Sequence, residues 1–284
     1  MDRPKEIEQQ LESTSTLVGL TSVLEGLASI KISQVKDQVT QSKEFFEQLW
    51  HIYSQLRVDS KFHFGRQEHG DKTNNKDLII IITAEGGLSG DIDQKLIKLF
   101  LQEYDEKKHE VIVIGHHGAI QLSQQNVHFK RYYKLPSRDR DINVGPIVAE
   151  VQQYRSTKIY YQTYVSLMVQ DVKRIELSAV VQEQGKVVRE GDEEISEKTY
   201  IFEPSTFAVV DHLERSMLYI APEQVILESK LAQYASRFQA MTKANDKAKT
   251  MLKDTRSHYR QAKRKNKDAR LKETVNNLRG VALV

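Results

Sequence analysis

The stretch from Glu223 to Lys265, EQVILESKLAQYASRFQAMTKANDKAKTMLKDTRSHYRQAKRK, decides the fold. Leu227, Leu231, Tyr234, Phe238, Met241, Asn245, Ala248, Leu252, Thr255, Tyr259 and Ala262 recur in alternating steps of four and three, the pattern of a heptad seam. Neither Gly nor Pro interrupts residues 223–279. At ~1.5 Å per residue such a helix runs ~86 Å, far beyond an ordinary globular helix, and its seam calls for a partner helix. The seam is bulky at Leu227, Leu231 and Phe238, small or polar from Asn245 onward, and absent beyond Ala262.

The partner is expected at the other end of the chain. Residues 27–64 also lack Gly and Pro, and Leu17, Leu20, Leu24 and Leu27, followed by Phe45, Leu49, Ile52 and Leu56, supply a helical apolar stripe. We expect this N-terminal row to face the small-residue half of the C-terminal seam in an antiparallel pair. Between the helices the period changes. Leu78 to Ile82 and Val111 to Ile114 are short, continuous apolar runs, the signature of strands buried on both faces. Asp91 to Tyr104 and Val144 to Tyr154 read as helices; Lys158 to Val169, Asp171 to Val181 and Lys198 to Glu203 read as strands, and Gly185 to Lys198 as an acidic loop. Strand–helix–strand order implies a parallel α/β sheet. The expected organisation is an N-terminal helix over residues 1–64, an α/β domain over 76–204 and a C-terminal helix over 205–284.

Composition narrows the chemistry. The 284 residues include no cysteine, which removes disulfides, thiolate metal sites and cysteine nucleophiles. The N-terminus is polar and no uncharged apolar run approaches the ~20 residues of a membrane helix. The turn Thr83-Ala84-Glu85-Gly86-Gly87-Leu88-Ser89-Gly90 lies where a phosphate loop would, yet lacks the Lys and Ser/Thr that follow its last glycine, so a tight turn explains it better. His116-His117 makes a poor metal pair, the remaining histidines have no ligand spacing, and Glu193-Glu194 reads as a solvated acidic loop. No catalytic, cofactor or metal site is expected. Net charge is only +3, but residues 243–272 carry twelve Lys/Arg against three acids, a local +9 in an otherwise acidic chain. Such a helix is a solvated face, a nucleic-acid ligand or a cationic rod within an acidic collar. Tyr259 is the one aromatic in it, too few for base stacking.

Several separated motifs resemble, in order, the gamma subunit of F-type ATP synthases. Leu227-Glu228-Ser229 and Ala235-Ser236-Arg237-Phe238-Gln239-Ala240-Met241, with Ala244 and Ala248, are similar to that family's C-terminal helix. Tyr200 to Pro204, Thr83 with Gly87-Leu88 and Gly90, and Ile159 to Ser166 match further segments, while Glu25 and Lys31 match best in a divergent N-terminal helix. The resemblance implies a central Rossmann-like domain, a coiled-coil shaft and no cofactor. It implies partners: a hexamer of alpha and beta subunits, the epsilon subunit and the proteolipid c ring, with membrane contact only through the complex, at the cytoplasmic face of a bacterial cell membrane. Nucleic acid is not an expected partner. Lys263, Arg264, Lys265 and Lys267 are the expected contacts to the hexamer, with Glu273 in the matching C-terminal segment and Leu278, Val281 and Leu283 in an apolar bearing. The spacing of Tyr259 to Glu273 is three residues longer than the family's, so the Arg-Gln contact pair maps to Lys263-Arg264 or to Asn266-Lys267.

Overall fold

The computed structural model describes residues 4–55, 76–136, 138–154, 156–177 and 201–281. Helix α1 spans Pro4–Gln55, and the chain closes with helix α5, Thr206–Val281. Between them lie β1 (Asp77–Ile82), α2 (Ile92–Leu101), β2 (His109–Ile114), α3 (His116–Gln124), β3 (Arg131–Tyr133), a 3-10 turn (Asp139–Asp141), α4 (Gly145–Val151), β4 (Thr157–Tyr164) and β5 (Gln170–Glu176). The chain divides into two compact units: Met1–Ala28 with Phe238–Val284, and Ser29–Arg237.

The larger unit is built on a five-stranded sheet of order β3-β2-β1-β4-β5. The first four strands are parallel; β5 returns antiparallel on β4. The run of isoleucines in β1 is apolar throughout because both sheet faces are covered. Leu78, Ile80 and Ile82 pack with α4, with Phe46 of α1 and with Met217, Leu218, Ala221 and Val225 of α5. Ile79 and Ile81 pack on the opposite face with Leu96, Ile97 and Phe100 of α2 and with Leu122. Just past the C-terminal ends of β1 and β2 the two chains meet closely enough to require a glycine. Gly115 has φ +100°, and a Cβ there would lie 2.1 Å from the carbonyl oxygen of Thr83.

Helix α5 starts at Thr206 and runs through Pro222, inside the span 205–284 expected for it. A proline inside a helix costs ~3 kcal/mol, but Leu213, Met217, Leu218, Ala221, Val225 and Ile226 all bury against the sheet face from this stretch, and that burial outweighs it. Several elements differ from the sequence expectation. Residues 201–203 form no strand, and Ile201 is exposed. The strand expected over 158–169 ends at Tyr164, because Val165 to Val169 turn the hairpin, and β5 covers 170–176 of the one expected over 171–181; residues 178–181 and the expected loop at 185–198 fall outside the described residues. His116-His117 opens helix α3, which the sequence reading missed, as it missed the three-residue β3.

Both terminal helices are tied to the α/β unit through one carboxylate. Asp139, in the 3-10 turn, accepts from Lys31 of α1 at 2.9 Å and forms an ion pair of 2.7 Å with Lys230 of α5, while Tyr234 donates to it at 3.2 Å. The Asp139 and Lys230 side chains are 4% and 5% exposed. Burial, the largest influence, pushes the Asp139 carboxyl up, but hydrogen bonds and charge from Lys230 and Lys31 together overcome it and hold the group below the usual carboxylate range. A depressed carboxyl contributes stability that is complete above its unfolded value near ~3.9 and is lost as pH falls through the folded value. Asp139→Asn is therefore expected to destabilise the chain by ~3 kcal/mol at neutral pH, since it strands a buried lysine. It should also flatten the decline in stability below roughly pH 4. Urea denaturation across pH, followed by circular dichroism, checks both effects; an unchanged acid limb would mean that other carboxylates control it.

Candidate functional site

In the smaller unit α1 and α5 lie antiparallel. Tyr259 donates to Glu8 at 3.1 Å, and Thr242 and Asn245 donate to the two oxygens of Glu25 at 2.7 and 3.2 Å. In the larger unit Val35 packs with Leu227 and Leu231, and farther along α1 Tyr53 donates to Glu214 at 2.8 Å, again in antiparallel order. On α5 the helix face is the one read from the sequence: Leu231, Met241, Asn245 and Ala248 are buried, and Phe238, Leu252, Thr255, Tyr259 and Ala262 half-buried.

On α1 the face is a different one. Leu17, Leu20 and Leu27 are 44%, 54% and 55% exposed, and Leu24 is only half-buried. The buried row is Ile7, Thr14, Thr21, Ala28 and Val35, seven residues apart, alternating with half-buried Leu11, Val18, Glu25 and Ile32. Farther on, Phe46 is buried where Phe45 and Ile52 are exposed, and Leu56 lies outside the described residues. Small side chains let two backbones approach closely, and Thr14 and Thr21 satisfy their hydroxyls on their own helix through Gln10 and Leu17 carbonyls. The leucines are left as an outward apolar stripe together with Val23, which is 60% exposed. That stripe makes α1 apolar enough, by length and composition alone, to pass for a membrane span, with a mean hydropathy of 1.2 over its best window; the expectation of no such segment does not hold on that measure.

Beyond Ala262 every described side chain of α5 is exposed. Lys263 lies 5.6 Å from the Tyr259 ring centroid, a cation–π contact. The hydrogen bond to Glu8, with burial and charge after it, raises the Tyr259 phenol above its ordinary value. Arg264, Lys265, Lys267 and Glu273 are solvent-facing, with no ion-pair partner within 4 Å among the described residues. Leu278 and Val281 continue the helix, and Leu283 lies outside the described residues.

The turn after β1 is occupied by the chain itself. Ser236 donates to the Ser89 carbonyl at 2.6 Å, and the Arg237 guanidinium donates to the carbonyls of Gly86 and Gly87 at 3.3 Å each and to Ser89 Oγ at 3.1 Å. Behind it Asp93, 2% exposed, accepts from Gln162 Nε2 at 2.7 Å and from the Ala84 N–H, and His117 Nδ1 sits 2.7 Å from its other oxygen. That hydrogen bond raises the His117 imidazole above its ordinary value, against the opposing effect of burial. Gln162 Oε1 in turn accepts from Ser229, and from Gln233 at 3.2 Å. Asp93, Asp139, Gln162, Ser229 and Lys230 were not singled out as site residues from sequence, since isolated polar residues in apolar surroundings carry no period. Glu25 and Lys31 had one signal, their agreement with the family pattern.

With this geometry in hand, the comparisons are consistent with one another. A family model described as ATP synthase matches residues 3–276. The chain belongs to the ATP synthase gamma family. The ATP synthase gamma chain of Chlorobium phaeobacteroides (strain BS1) is 24% identical over 95% of this chain and 96% of its own length. The gamma chain of Mycoplasmoides gallisepticum is 22% identical over 96% of each. Among solved structures, a chain of the Euglena gracilis mitochondrial ATP synthase, OSCP/F1/c-ring, superposes with a TM-score of 0.64 at 13% identity, covering 98% of this chain and 94% of that one. A chain of the Tetrahymena thermophila central stalk/c-ring superposes at 0.56 and 15% identity over 79% of this chain and 99% of that one. These likenesses establish the helix–sheet–helix fold. 

The two readings of the α1 face make opposite demands on single substitutions. Leu20→Ala, on the exposed row, is expected to change stability by less than about 0.5 kcal/mol. Ala28→Leu, at a site 2% exposed, should cost ~1–3 kcal/mol through overpacking. Thermal melts of the two variants decide between the rows; a large loss from the leucine change would restore the leucine seam.

Proposed function

We propose that this chain is the rotating central shaft of an F-type ATP synthase, turned by the proteolipid ring and turning inside the alpha/beta hexamer. Its family and its paired terminal helices support the shaft reading. The observation that carries the working end is the seam of α5: it thins through Asn245 and Ala248, ends at Ala262, and the helix continues to Val281 with its side chains from Lys263 to Asn276 exposed among the described residues. Contacts made and broken at each turn have to be weak. Exposed, screened pairs between Lys263, Arg264, Lys265 or Lys267 and carboxylates on moving beta loops, worth roughly 0–1 kcal/mol each, meet that demand where buried pairs would not. Glu273 belongs to the same contact zone, and Leu278, Val281 and Leu283 form the apolar bearing above it.

The work is done by differential binding. Each angular position of an asymmetric shaft stabilises a different conformation of each beta subunit, so rotation becomes a change in nucleotide affinity. Ion flow across the membrane supplies the rotation through the c ring, with epsilon beside the α/β domain and the chain held at the cytoplasmic face of the membrane by the complex alone. The chain itself has no catalytic role in this reading. Nucleic-acid binding is disfavoured further by the state of Tyr259, whose hydroxyl and ring face are both engaged, by Glu8 and Lys263.

Two variants test the tip in the assembled enzyme: Lys263, Arg264, Lys265 and Lys267 all reversed to Glu, and truncation after Ala262. Both are expected to assemble poorly or to uncouple ATP turnover from ion pumping, read as the ratio of vesicle acidification (or sodium uptake) to phosphate release. Charge reversal that leaves assembly and that ratio at the wild-type level would reduce the tip to a steric rod.

A further inference from the structure

In an open parallel sheet, ligands bind outside the carboxyl ends of the strands at the point where the strand order reverses. Here that point lies between β1 and β4, since β1, β2 and β3 progress to one side and β4 lies on the other. Continuing the β1–β4 register from Ile81↔Tyr160 places Gln162 beside Thr83, at the mouth of this crevice. The crevice has the usual furniture of a ligand site: a glycine-rich turn after β1, a buried acid in the first turn of α2 and a buried amide on β4. All of it is spent on α5. Residues 229, 233, 236 and 237 share one face of that helix, and each donates a hydrogen bond into the crevice.

We propose that α5 is the resident ligand of the sheet's switch point, and that Gln162 is the residue that positions it there for torque transfer. The inference rests on the shaft reading above and adds where the α/β unit grips the shaft. Gln162 suits the role because its amide is used at both ends. Its NH2 group donates to Asp93, which fixes the carbonyl end toward α5, where Ser229 and Gln233 donate to it. Gln162, Ser229, Gln233 and Asp93 are 0%, 0%, 5% and 2% exposed, so water does not substitute for a lost partner. Arg237 closes the mouth: its guanidinium meets carbonyls, so the glycine turn presents acceptors to a cation rather than N–H groups to a phosphate.

The polarity of the amide gives a test that bulk packing does not imitate. Gln162→Glu keeps the shape but sets a carboxylate against Asp93; adding Asp93→Asn restores a donor and an acceptor with the direction reversed. The measurements are made on the assembled complex in vesicles, by ion pumping per ATP hydrolysed and by hydrogen exchange of amides in residues 226–240. For Q162E we expect exchange there to accelerate about tenfold or more and coupling to fall, and for D93N/Q162E both to recover most of the way. If Q162E fails to assemble, recovery of assembly by the double variant supports the seat, and continued failure overturns it. Wild-type exchange and coupling in Q162E overturn it as well. A wild-type chain that does not assemble with alpha and beta subunits at all would instead sink the shaft reading, which keeps the two failures apart.

Discussion

One buried carboxylate, Asp139, ties both long helices to the sheet within the larger unit. Asp139 sits in a three-residue turn, and the lysines that neutralise it come from positions 31 and 230, on two helices almost two hundred residues apart in sequence. A charge so placed is not tolerable without both partners, because desolvation of a carboxylate costs several kcal/mol and is offset only by close, well-directed donors. Within the larger unit this fixes α1 against α5 near residues 31 and 230, and Tyr53 donating to Glu214 at 2.8 Å adds a second tie. Phe46 and Met217 are set down on the sheet on one side of the Asp139 tie; Val35 meets Leu227 and Leu231 close to it.

The two seams are specialised differently along their length. Near the sheet, α5 buries almost every side chain from Val225 to Leu231, since it is covered by α1 and by the α/β unit at once. In the smaller unit one narrow face is buried, and polar pairs cross between the helices there, Glu25 with Thr242 and Asn245, and the exposed Glu8 with Tyr259. Hydrogen-bonded pairs at spaced positions specify register where small apolar residues specify little, since a slipped pairing would leave them unmet.

Much of this was legible in the residues, and the failures have a common cause. The C-terminal seam could be read directly because α5 has few competing apolar residues outside it. On α1 the leucines dominated the pattern and pointed to the wrong face: hydrophobicity ranks Leu17 and Leu20 above Thr14, Thr21 and Ala28, while close helix approach ranks them the other way. β3 has three residues and no alternation to detect. The glycine turn lacks the lysine of a phosphate loop, but nothing in its own residues announced that Ser236 and Arg237 fill it. That information lies 150 positions away in the chain.

The outward leucine stripe has a consequence for the life of the chain before assembly. Leu17, Leu20, Val23 and Leu27 form a contiguous apolar surface that folding does not remove. Until a collar covers it, the folded shaft presents to the cell the same signal that an unfolded protein does. Chaperone capture, self-association and proteolysis all act on such a surface, so a free chain of this kind is expected to be cleared faster than its folding stability alone would dictate.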